Sequence, residues 1–158
     1  MTERNATHAT FCIEREYPAS PARVFKAFAD PKAKAQWFGG PDSWTNGGAT
    51  MDFRVGGREF HSSTHEPGGT RYTFEALYWD IIPAERIVFS YEMHLDGKKI
   101  SVSLTTVELK QAGNGTKLIF TEQGAFLDGW DDPKLREQGT RELLDALGAV
   151  LAKASADA

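Results

Sequence analysis

The feature that most constrains this chain is a change of period near its end. A long middle section alternates apolar and polar residues every two positions, and the final stretch repeats every three to four. From Pro133 to about Lys153, the residues Leu135, Gly139, Leu143, Ala146, Leu147, Val150 and Leu151 recur at helical spacing, which places them on one face of an amphipathic helix. Asp132 and Pro133 supply an N-cap and a first-turn residue. About 20 residues rising about 1.5 Å each make a rod of about 30 Å, enough to cross a small domain. Burying each Leu or Val on it contributes about 1.5 to 3 kcal/mol. Such a face needs a partner, and most of what precedes it is strand.

The strands can be phased from their apolar residues. Phe11, Ile13, Arg15 and Tyr17 alternate with Cys12, Glu14 and Glu16, a first strand ended by Pro18. Ser20 with Pro21, and then Asp30 with Pro31, repeat one cap signal, so two short helices follow. The first carries Val24, Phe25 and Phe28; the second carries Ala33, Ala35 and Trp37 and stops at Gly39, Gly40 and Pro41. Met51, Phe53 and Val55 share a strand face, and Gly56 with Gly57 marks a bulge or bend before Phe60. Pro67, Gly68 and Gly69 turn the chain into a strand showing Tyr72, Phe74, Ala76 and Tyr78 on one side. Beyond Pro83, Ile87, Phe89, Tyr91 and Met93 form the next face. Asp96-Gly97 predicts a two-residue hairpin pairing Met93 with Ile100, Tyr91 with Val102 and Phe89 with Leu104. A bulge near Thr105 and Thr106 must then restore the phase of Val107 and Leu109. A four-residue loop around Asn114 and Gly115 pairs Leu109 with Leu118, Val107 with Phe120 and Thr105 with Glu122, which puts a carboxylate on the apolar side.

The expected architecture is α+β: a curved antiparallel sheet of six to seven strands, two short helices after the first strand and one long C-terminal helix. The 158 residues suit a single domain over 1–158 with an ordered core of about 11–153. A net charge of -4, with 18 Lys and Arg spread along the chain, leaves no basic stripe for nucleic acid. No apolar run nears the roughly 18 residues of a membrane helix, so no membrane insertion is expected. The single cysteine, Cys12, fits a reducing compartment, and the polar N-terminus points to a cytoplasmic protein. His61 and His65 are about 13 Å apart along an extended strand, too far for one ion. His94 is expected to face solvent beside the hairpin. Neither a metal site nor a cofactor is expected, and the Gly-Gly pairs lack phosphate-loop spacing.

The runs REYPASPARVFKAFADP, QWFGGP, MDFRVGG, PAERIVFSYE and GTKLIFTEQGAF, in that order between Phe11 and Leu151, resemble the SRPBCC superfamily. The branch they resemble is the one similar to the activator of Hsp90 ATPase. The resemblance implies a helix-grip fold like START and Bet v 1-like domains, with the sheet wrapped around the C-terminal helix and a cavity between. Members bind lipids, sterols, polyketides and other hydrophobic molecules; some catalyse cyclisation, and others are co-chaperone domains. Many relatives carry a Gly-Trp pair where this chain has Gly139 and Thr140, so the cavity wall should differ there.

The residues expected to face that space are Trp37, Phe53, Phe74, Tyr78, Phe89, Tyr91, Phe120, Leu143 and Leu147, with Glu122 among them. Aromatic walls with a few oriented polar atoms are what a small-molecule site requires. The leading expectation is therefore binding of a small hydrophobic or amphipathic molecule, with no assigned reaction. Two alternatives come with it. Glu122, its pKa raised by burial, could serve with a tyrosine in a cyclase- or hydratase-type enzyme; a pairing with Arg15, Arg54 or Arg58 would make it structural instead. Or the chain acts through its surface, on a protein partner or as a homodimer, with Trp44, Trp79 and Trp130 as the residues to inspect.

Overall fold

In the computed structural model, which describes residues 4–39, 44–65 and 69–156, seven strands form one antiparallel sheet with three helices. The elements run β1 (Ala6–Tyr17), α1 (Pro21–Ala29), α2 (Pro31–Lys34), β2 (Trp44–Met51), β3 (Arg58–His65), β4 (Arg71–Ile82), β5 (Arg86–Leu95), β6 (Lys98–Ala112), β7 (Gly115–Leu127) and α3 (Pro133–Ala156). The sheet order is β1-β7-β6-β5-β4-β3-β2. Hairpins join β2 through β7, and only β1 is placed by a long return across the sheet. This is the helix-grip fold that the alternating strands and terminal helix imply. Among the described residues, no helix is long and apolar enough to cross a membrane.

The cap signals act as expected. The Ser20 side chain accepts from the Arg23 amide and that of Asp30 from the Lys32 amide, each with proline in the first turn. The second helix is shorter than its sequence suggests. It ends at Lys34 and leaves Ala35 and Trp37 in a turn, where the Trp37 indole donates to the Ala27 carbonyl at 3.0 Å. Gly40, Pro41, Pro67 and Gly68, expected at a helix stop and a turn, lie outside the described residues, as does the side chain of Trp44.

Phe53 and Val55 leave the strand face predicted for them. Residues 52–57 form a loop that is pinned to β4, because Gly56 N donates to Tyr78 O at 2.8 Å and Tyr78 N to Gly57 O at 3.0 Å. A side chain at Gly57 would meet the Asp52 carbonyl at 2.0 Å, so only glycine fits this turn. The loop still presses Phe53 against Tyr78, while Val55 is exposed. Arg54, a suggested partner of Glu122, makes a surface ion pair with Asp52 instead, at 2.9 Å.

The β5–β6 register differs from the expected one. The Asp96-Gly97 turn forms with both residues at positive φ, and Leu95 pairs Lys98 and His94 pairs Lys99, but the register shifts between Met93 and His94. Ile100 is the extra residue, so Met93, Tyr91 and Phe89 oppose Ser101, Ser103 and Thr105. The bulge sits beside the turn rather than at Thr105 and Thr106. Val102 and Leu104 consequently point outward and are exposed. The β6–β7 pairs Leu109 with Leu118, Val107 with Phe120 and Thr105 with Glu122 occur as read, closed by a tighter turn with Ala112 opposite Gly115.

α3 is continuous but rotated relative to its apolar repeat. Thr140, Leu144, Leu147 and Leu151 are its buried residues, whereas Leu135 is 67% exposed and Ala146 is exposed. Gly139 neither breaks the helix nor admits a neighbour, since nothing lies within 4 Å of where its Cβ would be. The close approach is at Gly148, whose Cβ would meet the Tyr17 ring at 3.1 Å. That ring is fixed by its hydroxyl, which donates to the Leu144 carbonyl at 2.7 Å.

Candidate functional site

The concave face of the sheet carries a connected layer of rings. Phe74 on β4 lies 4.8 Å from Tyr91 and 6.5 Å from Phe89, both on β5, and 5.1 Å from Phe38 in the turn after α2. Phe38 leads on to Trp37 at 5.8 Å, and Tyr78 joins Phe53 at 4.9 Å to Phe89 at 6.0 Å. Six of the residues expected from sequence thus form one network. Phe120 belongs to a separate stack with Phe11, 6.3 Å away. Leu147 is buried in the same core, and Leu143 packs partly buried against it.

Two polar clusters are set into this layer. The first is built on Glu122 of β7, which is 2% exposed. Because Thr105 opposes it across the β6–β7 ladder, the Thr105 hydroxyl donates to Oε1 at 2.9 Å; the Tyr91 hydroxyl donates to Oε2 at 2.9 Å. Arg136, one turn into α3, donates to the Tyr91 oxygen at 3.1 Å, to Ser101 Oγ at 2.9 Å and to Asp131 Oδ2 at 2.8 Å. Its guanidinium also lies 5.1 Å from the Phe126 ring and 5.7 Å from that of Tyr91. Burial raises the Glu122 pKa, against the opposing pull of Arg136 and of the two hydroxyl donors. The Tyr91 hydroxyl is likewise pushed up, by burial first and then by the Glu122 charge. Arg15, a suggested partner of Glu122, bonds Asp145 on α3 instead.

The second cluster had no signal in a strand reading. Glu59 and His61 of β3 oppose Ala76 and Phe74, so both point to the concave side. Lys34, the last residue of α2, places its ammonium 2.8 Å from each Glu59 oxygen and 4.5 Å above the Phe38 ring. The Tyr78 hydroxyl donates to Glu59 Oε1, and His61 Nε2 lies 2.5 Å from Oε2. Burial alone would push the Glu59 carboxyl up, but the bonds to His61, Lys34 and Tyr78 together hold it at about 2. Lys34, fully enclosed with a single carboxylate partner, is lowered by burial. A lysine at the end of a four-residue helix reads as surface in sequence; only the docking of α2 on β3 buries it.

The two clusters lie on either side of Phe74 and Tyr91, so a buried aromatic layer is flanked by a carboxyl that favours its neutral form and by a closed ion pair. Glu59 and His61 are taken up by Lys34 and Tyr78 and hold no open ligand set. A separate depression of about 540 Å³, lined by Glu16, Tyr17, Thr116 and the β6–β7 turn, contains none of the residues expected to bind. The concave face is the candidate site, because the buried carboxyls Glu59 and Glu122 are there.

Residues 18–152 match the family described as activator of Hsp90 ATPase homolog 1-like protein. The chain is similar to a protein of solved crystal structure from Rhizobium loti, at 49% identity, covering 93% of this chain and 99% of that one with a TM-score of 0.86. An uncharacterised protein from Rhizobium leguminosarum is 44% identical over 96% of this chain and 99% of that one, with a TM-score of 0.90. A third structure, from Chromobacterium violaceum, is 26% identical over 90% and 96% of the two chains, with a TM-score of 0.74. No curated protein matches.

Proposed function

This chain belongs to the activator of Hsp90 ATPase homolog 1-like family, and from that premise we propose that it binds a small hydrophobic or amphipathic molecule against the aromatic concave face. The observation that carries the reading is Glu122, a buried carboxyl whose direct hydrogen bonds come from the neutral hydroxyls of Tyr91 and Thr105. A core selected only for stability would place an apolar residue there, since burying a carboxylate without a facing ion pair is costly. A ligand that uses the group gives a reason to keep it. Phe74, Phe89, Tyr91 and Phe53 supply the apolar contact, and the Arg136 network fixes the Tyr91 hydroxyl.

Native mass spectrometry and thermal-shift screening against lipids, sterols and aromatic polyketides test this. A ligand present at 100 times its Kd should stabilise the protein by about 2.7 kcal/mol. The reading fails if no class binds or shifts the melt. A second reading, a surface for a protein partner, is favoured by the exposure of Trp79 at 56% and Trp130 at 43%, with Val102 and Leu104 at 41% on the outer face of β6. Replacing Trp79 and Leu104 by Ser should then abolish a measured association without lowering Tm, and an unchanged association would remove this reading.

A further inference from the structure

The convex face of the sheet, opposite the aromatic layer, brings together two carboxylates and an imidazole. Glu75 of β4 pairs directly with Glu92 of β5, and His94 lies two residues further along β5 on the same side. Like charges directly opposite on neighbouring strands repel, and the Lys99 ammonium, in contact with Glu92 Oε1, offsets part of that charge. His94 Nε2 sits 3.6 Å from Glu92 Oε1 and 3.8 Å from Glu75 Oε2, too far for hydrogen bonds. That nitrogen is shut off from solvent and has no hydrogen-bond partner among the described residues. One ligand atom from each of the three residues falls within 4.8 Å of the others.

We propose that Glu75, Glu92 and His94 form a surface site for a divalent transition-metal ion of the zinc type, completed by water. An ion about 2.0 to 2.2 Å from each donor holds tetrahedral ligands about 3.4 Å apart, so the observed spacings need shifts of only tenths of an ångström at His94. Imidazole with carboxylates suits zinc, whereas magnesium prefers oxygen alone. The two glutamates are on exposed arms that can close the remaining distance. Lys99, whose ammonium is 2.6 Å from Glu92 Oε1, competes for the same oxygen and sets the affinity. The site lies on the side of the sheet away from Glu122 and does not rest on the ligand-binding reading.

Isothermal titration of the full chain with zinc chloride, with magnesium chloride as control, tests the proposal. One zinc per chain should bind, with no magnesium heat. His94→Ala should weaken binding at least about tenfold, the loss that removal of an outer hydrogen-bond partner alone can cause. Lys99→Met should tighten it about two- to fivefold, because an exposed ion pair no longer competes. In parallel, the His94 Nε2 nitrogen resonance should move on zinc addition while the melting profile of each apo variant stays that of the parent. Absence of one-to-one binding, an unchanged affinity in His94→Ala, or weaker binding in Lys99→Met each overturns the site.

Discussion

Lys34→Met is the sharpest probe of how this interior is held. The substitution keeps an unbranched side chain of similar length and removes only the ammonium, so packing against Phe38 and Phe74 is retained. What remains is Glu59, whose side chain is 0% exposed, with His61 and Tyr78 as its donors. Breaking a buried pair by removing one partner costs about 3 to 5 kcal/mol. The surviving bonds to Glu59 place this case near the lower end, about 3 kcal/mol, which for a chain of this size is about 6 to 12 °C in Tm. Adding Glu59→Gln removes the stranded charge and keeps a hydrogen-bonding group for Tyr78 and His61, so the double variant should recover most of the loss. The pH dependence has a definite sign. Glu59 is held at about 2 against an ordinary 4.5, so its contribution is full above pH 4.5 and is lost as pH falls towards 2. The gap between parent and Lys34→Met should therefore narrow over that window in urea melts. A loss below about 1 kcal/mol at neutral pH would refute the reasoning, since that is the range of exposed pairs.

Glu122→Gln should behave in the opposite way with pH. Folding favours the protonated form of Glu122, so the parent's stability is full below the ordinary carboxyl pKa and declines as pH rises. The neutral amide is free of that decline, so its Tm relative to the parent should climb as pH rises above the ordinary carboxyl value of 4.5; a constant difference would show that the carboxyl is not perturbed. On α3, Leu147→Ala should cost about 2 to 5 kcal/mol, whereas Leu135→Ala should stay within about 0.5 kcal/mol; comparable losses would return the helix to its sequence-phased face. Gly139→Ala meets open space and should stabilise by about 0.5 to 1 kcal/mol through helix propensity, as denaturant midpoints would report.

The order of elements, the two proline-capped helices, the inward faces of β4 and β5 and the burial of Glu122 were all legible in the chain, because each follows from a local period or a local turn. Strand faces obey a period of two as long as no residue is inserted, and the β6–β7 pairs that contain Glu122 have none. Three things were decided only by tertiary structure. A single extra residue, Ile100, turned Val102 and Leu104 outward and Ser101 and Ser103 inward, and hydrophobicity alone gave the opposite phase. The rotation of α3 goes with Arg136, drawn inside by partners on β5, β6 and the segment before the helix, and with Thr140, whose hydroxyl is satisfied by the Arg136 carbonyl of its own helix; an apolar count assigns both to solvent. Lys34, Glu59 and His61 sit on a four-residue helix and a strand whose inner face is polar; no periodicity marks them, because a buried charge is permitted only by partners that the fold brings together from distant parts of the sequence.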